Sequence, residues 1–269
     1  MGNKEIITDY ETPLVLIKIS EKRFLQETID SGRIYMNTAS FFREQAALGG
    51  NPMIYDIDEA SQSRLVQMYL KLGKDGEYAK VFGDGVGNLA IKGNQCLYCM
   101  YGIHHKLDKI NDETYKHIIS KELIKSFISK DKNINDYAIL LLEFPYNFLE
   151  KFNDILIERR LTGAKGFVKY DDHKYEYDVD ISDERLAIEA CYHKKSVYKD
   201  QNEYRLVVIN KEDEPITDLF FGRLEKDDCR LIDIIENKDL EITVKIICRK
   251  KFDEFKAIVS VDEIVTNFI

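Results

Sequence analysis

The chain has no tryptophan, only five cysteines at scattered positions, and no apolar run long enough to cross a bilayer. A membrane-spanning helix needs about 20 mostly apolar residues, so the sequence predicts no such helix. The scattered cysteines lack the spacing of a disulfide framework, which predicts a reducing, cytoplasmic setting. Residues 1–12 are polar and acidic, unlike a secretory signal peptide.

Positive charge is also in the minority. There are 39 lysines and arginines against 48 aspartates and glutamates, giving a formal net charge of -9. Strong nonspecific binding to nucleic acids requires cationic side chains that neutralise phosphates, so the overall charge argues against it. One basic cluster, formed by His193, Lys194, Lys195 and Lys199, departs from this balance. We interpret this cluster as a solvated surface.

The composition is that of a globular protein with a sizeable core, with 44% hydrophobic and 32% charged residues in a chain of 269. Predicted strands outnumber predicted helices, and the two follow one another irregularly. The fold class that we expect is therefore α+β, with a mixed, mainly antiparallel sheet and several flanking helices. We expect one domain over residues 1–269, with a helical insertion around residues 105–160.

Apolar runs and helical spacing predict the individual elements. Strands are predicted over residues 14–19, 33–37, 95–103, 136–144, 185–192, 206–209, 215–221, 240–249 and 257–260. Helices are predicted over residues 21–30, 38–47, 56–72, 111–129, 147–160 and 227–237. Ser20 is the expected N-cap of the first helix, and Gly32 is placed to end that helix.

The stretch from Gln201 to Ile209 places ionisable side chains directly before a strand. The run Leu206-Val-Val-Ile209 predicts that this strand is buried. A carboxylate at its entrance, here Glu203, could hydrogen-bond a ribose hydroxyl and stabilise a cation developing at an anomeric carbon. Gln201 could orient an acceptor. The structural alternative is that Glu203 pairs with Arg205 or with a lysine across the sheet.

Gln201-Asn-Glu203, followed by Tyr204-Arg-Leu-Val-Val, resembles the Gln/Glu-x-Glu turn and strand of ADP-ribosyltransferases. Those enzymes are α+β proteins that use NAD. The resemblance implies a catalytic Glu203, with Gln201 placing the acceptor. The first strand of these families usually bears a decisive Arg or His, where this chain offers Lys18. The implied cofactor-binding residues are Lys18, Arg33, Tyr35, Asn37 and Arg205.

The wider pattern also resembles an uncharacterised family of bacterial and phage-associated proteins. The matching segments are Gly32 to Thr38, Phe41 to Arg43, Asp58-Glu59 and Asn202 to Arg205. This resemblance implies phage defence or a toxin system. It also leaves open a non-enzymatic sensor module that binds a nucleotide or a protein in the same cleft. For either function, we expect the segments 14–37 and 195–209 to lie side by side in one sheet, with Tyr35 and Glu203 in one cleft.

Metal sites are the remaining alternative. Asp56, Asp58, Glu59 and the distant Glu203 could together form a metal-dependent nuclease site. Cys96-Leu-Tyr-Cys99 has the spacing of a zinc or redox motif. Within a strand, however, residues three apart point to opposite faces. We therefore expect these two cysteines not to share a metal.

Overall fold

The computed structural model describes residues 13–51, 54–71, 78–90, 94–103, 108–109, 114–129, 131–171, 184–209, 214–248 and 257–263. The α-helices are α1 (Lys22–Ser31), α2 (Ala39–Ala47), α3 (Lys121–Ser126), α4 (Pro145–Glu158) and α5 (Glu184–Ala190). Two 3-10 turns cover Ile134–Asp136 and Ser196–Gln201. The strands are β1 (Val15–Glu21), β2 (Arg33–Tyr35), β3 (Asn37–Thr38), β4 (Ser61–Lys71), β5 (Tyr78–Ala90), β6 (Gln95–Ile103), β7 (Asp108–Lys109), β8 (Thr114–Ile119), β9 (Tyr137–Leu142), β10 (Thr162–Phe167), β11 (Lys169–Tyr170), β12 (His193–Lys194), β13 (Glu203–Ile209), β14 (Asp218–Phe220), β15 (Cys229–Asp233), β16 (Leu240–Cys248) and β17 (Ala257–Glu263).

The main sheet has seven strands in the order β10-β13-β6-β1-β9-β15, with β3 added beside β6. Every pair in this sheet is antiparallel. A second sheet has the order β17-β16-β8-β7, and three further two-stranded sheets join β4 to β5, β2 to β14 and β11 to β12. With its flanking helices, this is the α+β fold with a mainly antiparallel sheet that the sequence predicted.

The main sheet has a core on each face, because successive side chains of a strand point to opposite faces. One face packs Leu16, Leu140 and Leu206 against Leu25 of α1 and Phe152 of α4. The opposite face carries two separate apolar clusters. One contains Ile17, Ile103 and Ile139, and the other contains Leu97, Val207 and Ile188 of α5.

The strand β1, the helix α1 and the strand β2 follow the predicted strand, helix, strand order. Gly32 ends α1 with a left-handed φ of 66°, a conformation that glycine adopts without steric cost. A Cβ at this position would lie 2.2 Å from the Gly222 carbonyl oxygen, so any other residue would also force these loops apart. The predicted N-cap was wrong, because the cap position is Glu21 and no side chain caps the helix.

Four other local predictions were wrong. In the described part of the predicted helix 111–129, residues 114–119 form β8 and residues 121–126 form the short α3, and residues 61–71 form β4 rather than helix. Residues 184–190 form α5 where a strand was predicted, and residues 229–233 form β15 where a helix was predicted. In β8, pairing with β16 and burial of Ile119 beside Leu240 outweigh the helical spacing of the apolar residues.

Residues 105–160, where we expected a helical insertion, contain β7, β8 and β9 as well as α3 and α4 in their described parts. The strand β9 lies inside the main sheet, between β1 and β15. In the described part of the chain, no helix is both long enough and apolar enough to cross a membrane.

Candidate functional site

The main sheet splits on one side of β6. The strand β1 pairs with β6 only from Tyr101 to Ile103, and β3 pairs with β6 only at Cys96 and Leu97. Residues 98–100 lie between these two ladders, while β13 pairs with β6 continuously from Gln95 to Tyr101 on the other side. On this side, residues 98–100 therefore have no strand partner among the described residues.

A cavity of about 250 Å3 lies at this split. Glu203 and Arg205 lie on the same side of β13 as Val207, because they are separated from it by even intervals. That side carries the two separate apolar clusters of the core. The lining residues are Ile17, Lys18, Ile19, Tyr35, Asn37, Phe41, Phe42, Ile54, Tyr55, Glu59, Leu97, Tyr98, Cys99, Met100, Tyr101, Phe127, Lys194, Gln201, Glu203 and Arg205.

Arg205 is fully buried and joins two carboxylates in the wall of the cavity. Its Nε and one terminal nitrogen donate to the two Glu203 oxygens, at 2.9 and 3.1 Å. Its terminal nitrogens also donate to the two Glu59 oxygens, at 2.6 and 2.9 Å. A further bond goes to the Cys191 carbonyl. These contacts engage all five N–H donors of the guanidinium, so Arg205 has no donor left for a ligand.

Lys194 adds a second buried cation. Its Nζ lies 2.9 Å from Glu203 Oε2 and donates to Gln201 Oε1 at 3.0 Å. It also lies 3.8 Å from Glu59 Oε2. The result is a buried quartet of two cations and two carboxylates, formed by Glu59, Lys194, Glu203 and Arg205. We call it the charge quartet.

The charge quartet keeps Glu203 ionised. Burial alone would raise the pKa of Glu203, but the charges of Arg205 and Lys194 outweigh burial and lower that pKa. Asp56 behaves in the opposite way. Its carboxyl is buried beside the like-charged Glu59, and burial raises its pKa despite a hydrogen bond from the Asp58 backbone.

Lys18 reaches into the split from β1. Its Nζ donates to the Cys99 carbonyl oxygen at 2.7 Å, satisfying an acceptor at the unpaired stretch of β6. The same ammonium lies 4.5 Å from the centre of the Tyr98 ring. Burial lowers its pKa, and attraction to Cys99 and Glu203 opposes that shift. Lys18 has donor capacity beyond this one bond, because an ammonium carries three hydrogens.

Aromatic rings form another part of the wall. Thr38 caps α2 by accepting a hydrogen bond from the Phe41 backbone, which directs Phe41 and Phe42 along the first turn of that helix. Their ring centres lie 5.8 Å apart. They lie 6.1 and 6.2 Å from Tyr55. The cavity therefore combines charged groups with apolar rings that can contact a planar heterocycle.

The turn before β13 positions Glu203. Asn202 adopts a left-handed φ of 37°, which asparagine tolerates better than most residues. Its side chain donates to the Gly102 carbonyl, while the Gly102 backbone donates to the Asn202 carbonyl at 2.9 Å. The Glu203 backbone N–H donates to the Tyr170 hydroxyl at 2.8 Å. These bonds tie the first residue of β13 to β6 and to β11.

Six of the seven residues proposed from the sequence line the cavity. They are Lys18, Tyr35, Asn37, Gln201, Glu203 and Arg205. The strands β1 and β13 share the main sheet as expected, although β6 lies between them, and β2 lies outside that sheet, paired with β14. Tyr35 is nevertheless in the same cleft as Glu203.

Arg33 is the exception. Its guanidinium pairs with Asp218 at 2.7 Å and with Glu27 at 2.5 Å. It does not belong to the cavity lining. Glu27 of α1 and Asp218 of β14 hold the Arg33 side chain away from the cavity, although Tyr35 on the same strand lines it.

Sequence reasoning missed part of the wall. Lys194 was interpreted as surface, yet its side chain is only 3% exposed. Glu59 was considered as a metal ligand and as part of the Asp58-Glu59 segment but not as a partner of Arg205, and Tyr55 was not considered. The sequence shows that Lys194 lies among basic residues and Glu59 among acidic residues. No local pattern indicated that these two side chains would meet at Arg205.

The residues proposed as metal ligands have other partners or lie on different faces of the main sheet. Glu59 and Glu203 both bind the Arg205 guanidinium. Cys96 packs in the core of the α1 face, whereas Cys99 packs beside Leu97 on the opposite face, as the spacing predicted. Within the described ranges, no group of three His, Cys, Asp or Glu side chains is placed to hold a metal ion. His104 and His105 lie outside those ranges.

Comparison of the chain with protein-family models, with curated proteins and with solved structures gave no significant match.

Proposed function

We propose that the cavity binds the nicotinamide end of NAD and that the chain is an ADP-ribosyltransferase-like enzyme. The observation that carries this proposal is the convergence of six residues, all proposed from the sequence, on one cavity. They come from β1, β2, β3, the 3-10 turn before β13, and β13 itself. Side chains from five separate elements that meet at one cavity are expected of residues that contact one ligand. Residues that only form ion pairs need not meet in this way.

The chemistry of the wall supports a nucleotide. Among the described lining residues, the cations Lys18, Lys194 and Arg205 outnumber the carboxylates Glu59 and Glu203 by one. A site with excess positive charge favours an anionic ligand such as a diphosphate. Aromatic rings offer contact to a planar base. The volume lies just below the roughly 300–1,000 Å3 usual for ligand pockets, so the cavity would enclose one end of a dinucleotide.

In the proposed reaction, the bond between the ribose C1′ and the nicotinamide nitrogen breaks. Nicotinamide leaves with the bonding electron pair, and positive charge develops at C1′. The ionised Glu203 carboxylate stabilises that charge. The acceptor then forms a bond to C1′ and loses a proton. Gln201, held by Lys194, would fix the turn that carries Glu203.

A second candidate is a sensor module that binds a nucleotide without turning it over. The observation that favours it is the engagement of both Glu203 oxygens by Arg205 and Lys194. These cations reduce the negative potential that Glu203 presents to a ligand. The phage-defence role remains part of both candidates.

The test is NAD consumption together with NAD binding by calorimetry. We expect Glu203→Gln to retain binding and to lower turnover on the order of 100-fold, because the amide keeps the shape but lacks the charge. Glu143→Gln is the matched control. Glu143 also pairs with an arginine, Arg230 at 2.7 Å, but does not line the cavity.

Binding of NAD by the wild type without consumption would select the sensor module. The absence of both binding and consumption would reject the transferase and any sensor that recognises NAD. Equal turnover in Glu203→Gln and in the wild type would remove Glu203 from the catalytic role.

A further inference from the structure

An open groove of about 650 Å3 lies next to the cavity and shares Tyr101 with it. Tyr101 and Glu203 are direct partners in the ladder of β6 and β13. Directly opposed residues place their Cβ atoms about 4.5–5.5 Å apart on the same face of a sheet. The groove residues are Tyr101, His117, Ile118, Ser120, Glu122, Leu123, Ser126, Lys199, Asp200 and Asn202.

The far side of Tyr101 contacts a histidine. The Tyr101 hydroxyl lies 2.6 Å from His117 Nε2. His117 lies on β8 and is the ladder partner of Ile242 on β16. Ile242 belongs to the same apolar cluster as Tyr101, and this packing brings His117 next to Tyr101. Glu203, Tyr101 and His117 therefore follow one another from the cavity to the groove.

We infer that the groove receives the acceptor of the transfer, and that His117 takes the acceptor's proton through the Tyr101 hydroxyl. This inference rests on the function proposed above. The acceptor class is a polar nucleophile that carries a dissociable proton, such as a hydroxyl group. The groove offers hydrogen-bonding partners for it in Ser120, Ser126 and Asn202.

The proton balance requires such a group. As the acceptor oxygen bonds to C1′, its proton passes to the Tyr101 oxygen, and the Tyr101 proton passes to His117 Nε2. Burial raises the pKa of Tyr101 to about 12, so its hydroxyl stays protonated near neutral pH and is suited to relay. Glu203, with its lowered pKa, is a weak base. Imidazole is the side chain that ordinarily exchanges a proton near neutral pH.

The charged side chains around His117 come from two elements. Glu122 extends from α3, and Lys199 and Asp200 extend from the 3-10 turn before β13. Glu122, Lys199 and Asp200 thus place charged groups of both signs in the groove that His117 lines.

The test measures NAD consumption against pH, with water as the acceptor, in the wild type, His117→Asn and Tyr101→Phe. In the wild type, turnover should rise with pH, because only the neutral imidazole can accept the proton. Both variants should lose this rise and about 100-fold in turnover at neutral pH, with NAD affinity unchanged. Lys116→Gln is the control, since Lys116 is the neighbour of His117 on β8 and pairs with Glu241 outside the groove.

The outcomes separate the two proposals. If the wild type consumes no NAD, the proposed function fails, and this inference fails with it. If the wild type consumes NAD and both variants keep its rate and pH profile, this inference alone is overturned. A thermal melt accompanies each variant. If His117→Asn does not fold, Tyr101→Phe decides, because it removes only the hydroxyl.

Discussion

Two arginines of this chain each lie between two carboxylates, but in very different surroundings. Arg205 is fully buried and binds Glu59 and Glu203 with paired hydrogen bonds. Arg33 binds Glu27 and Asp218 with its side chain 32% exposed. The sequence suggested a cofactor role for both. The comparison shows that burial, rather than the identity of the partners, separates a residue of the cavity wall from a surface ion pair.

The two arginines are therefore expected to contribute differently to the stability of the fold. Exposed ion pairs contribute about 0–1 kcal/mol, because water and salt screen the charges. Removing one partner from a buried pair costs about 3–5 kcal/mol, because the remaining charge stays buried without compensation. The charge quartet therefore makes the site and the stability of the fold depend on the same residues.

The largest expected effect is that of Arg205→Met. The change leaves Glu59 and Glu203 facing each other with only Lys194 to compensate them. We expect the free energy of unfolding to fall by about 3–5 kcal/mol, measured by urea denaturation. Arg205→Lys should recover only part of the loss, since an ammonium cannot form two paired bonds. A loss below about 1 kcal/mol would contradict the importance assigned to burial.

Glu203→Gln should have the next largest effect, with a characteristic pH dependence. Because the pKa of Glu203 is lowered in the folded state, its ionised form stabilises the fold above the unfolded-state pKa of about 4.3. That stability is lost as the pH falls through the lower folded-state pKa. At neutral pH, the free energy of unfolding of the variant should be about 1–3 kcal/mol lower than that of the wild type. Below about pH 4, the stability of the variant should decline less steeply as the pH falls.

The matched change in the exposed site is Asp218→Asn, which should cost about 1 kcal/mol or less at neutral pH. Thermal melts from acid to neutral pH compare the two variants. An unchanged acid decline in Glu203→Gln would mean that other carboxylates control the acid unfolding.

Lys18→Met tests a cation that lines the cavity, as Arg205 does, but that is not part of the charge quartet. Its ammonium has one hydrogen bond, to Cys99 O, and no paired carboxylate within bonding distance among the contacts described above. Methionine keeps the apolar contact with the Tyr98 ring. We expect a change in stability of only about 1 kcal/mol, but NAD affinity about tenfold weaker, measured by calorimetry. Unchanged affinity would remove Lys18 from the nucleotide site.

Arg33→Met should have the smallest effect. We expect at most a small loss of stability, and this loss should disappear as the salt concentration rises to about 1 M, where the screening length is about 3 Å. The loss in Arg205→Met should persist at that salt concentration. A large, salt-insensitive loss in Arg33→Met would mean that the two arginines do not differ as their burial indicates.

Asp56→Asn supplies a prediction of opposite sign. Burial raises the pKa of Asp56, so its ionised form destabilises the fold as the pH rises through that raised pKa. Asparagine keeps an oxygen that can accept the Asp58 backbone hydrogen bond. At neutral pH, the melting temperature of this variant should therefore equal or exceed that of the wild type. At low pH, it should fall below that of the wild type. Differential scanning calorimetry at both pH values measures the difference.

Local sequence pattern predicted the elements that depend on neighbouring residues. The bounds of β6 were predicted as observed, because apolar residues continue without interruption from Cys96 to Tyr101. The helix α2 was predicted to within one residue of its start, and the Gln201-x-Glu203 motif was found at the start of a buried strand. The position of β8 was missed, since its apolar spacing fits both a helix and a strand whose partner lies far along the chain.

The sequence by itself determined the mainly antiparallel α+β fold and six residues of the candidate site. Only the tertiary structure decided which charges meet. Glu59 reaches Arg205 across 146 positions of sequence, and Lys194 becomes buried because β12 pairs with β11 beside β13. The reason is physical: periodicity records which face a residue occupies, whereas strand register and burial determine its partners, and the energy of a charge depends on those partners.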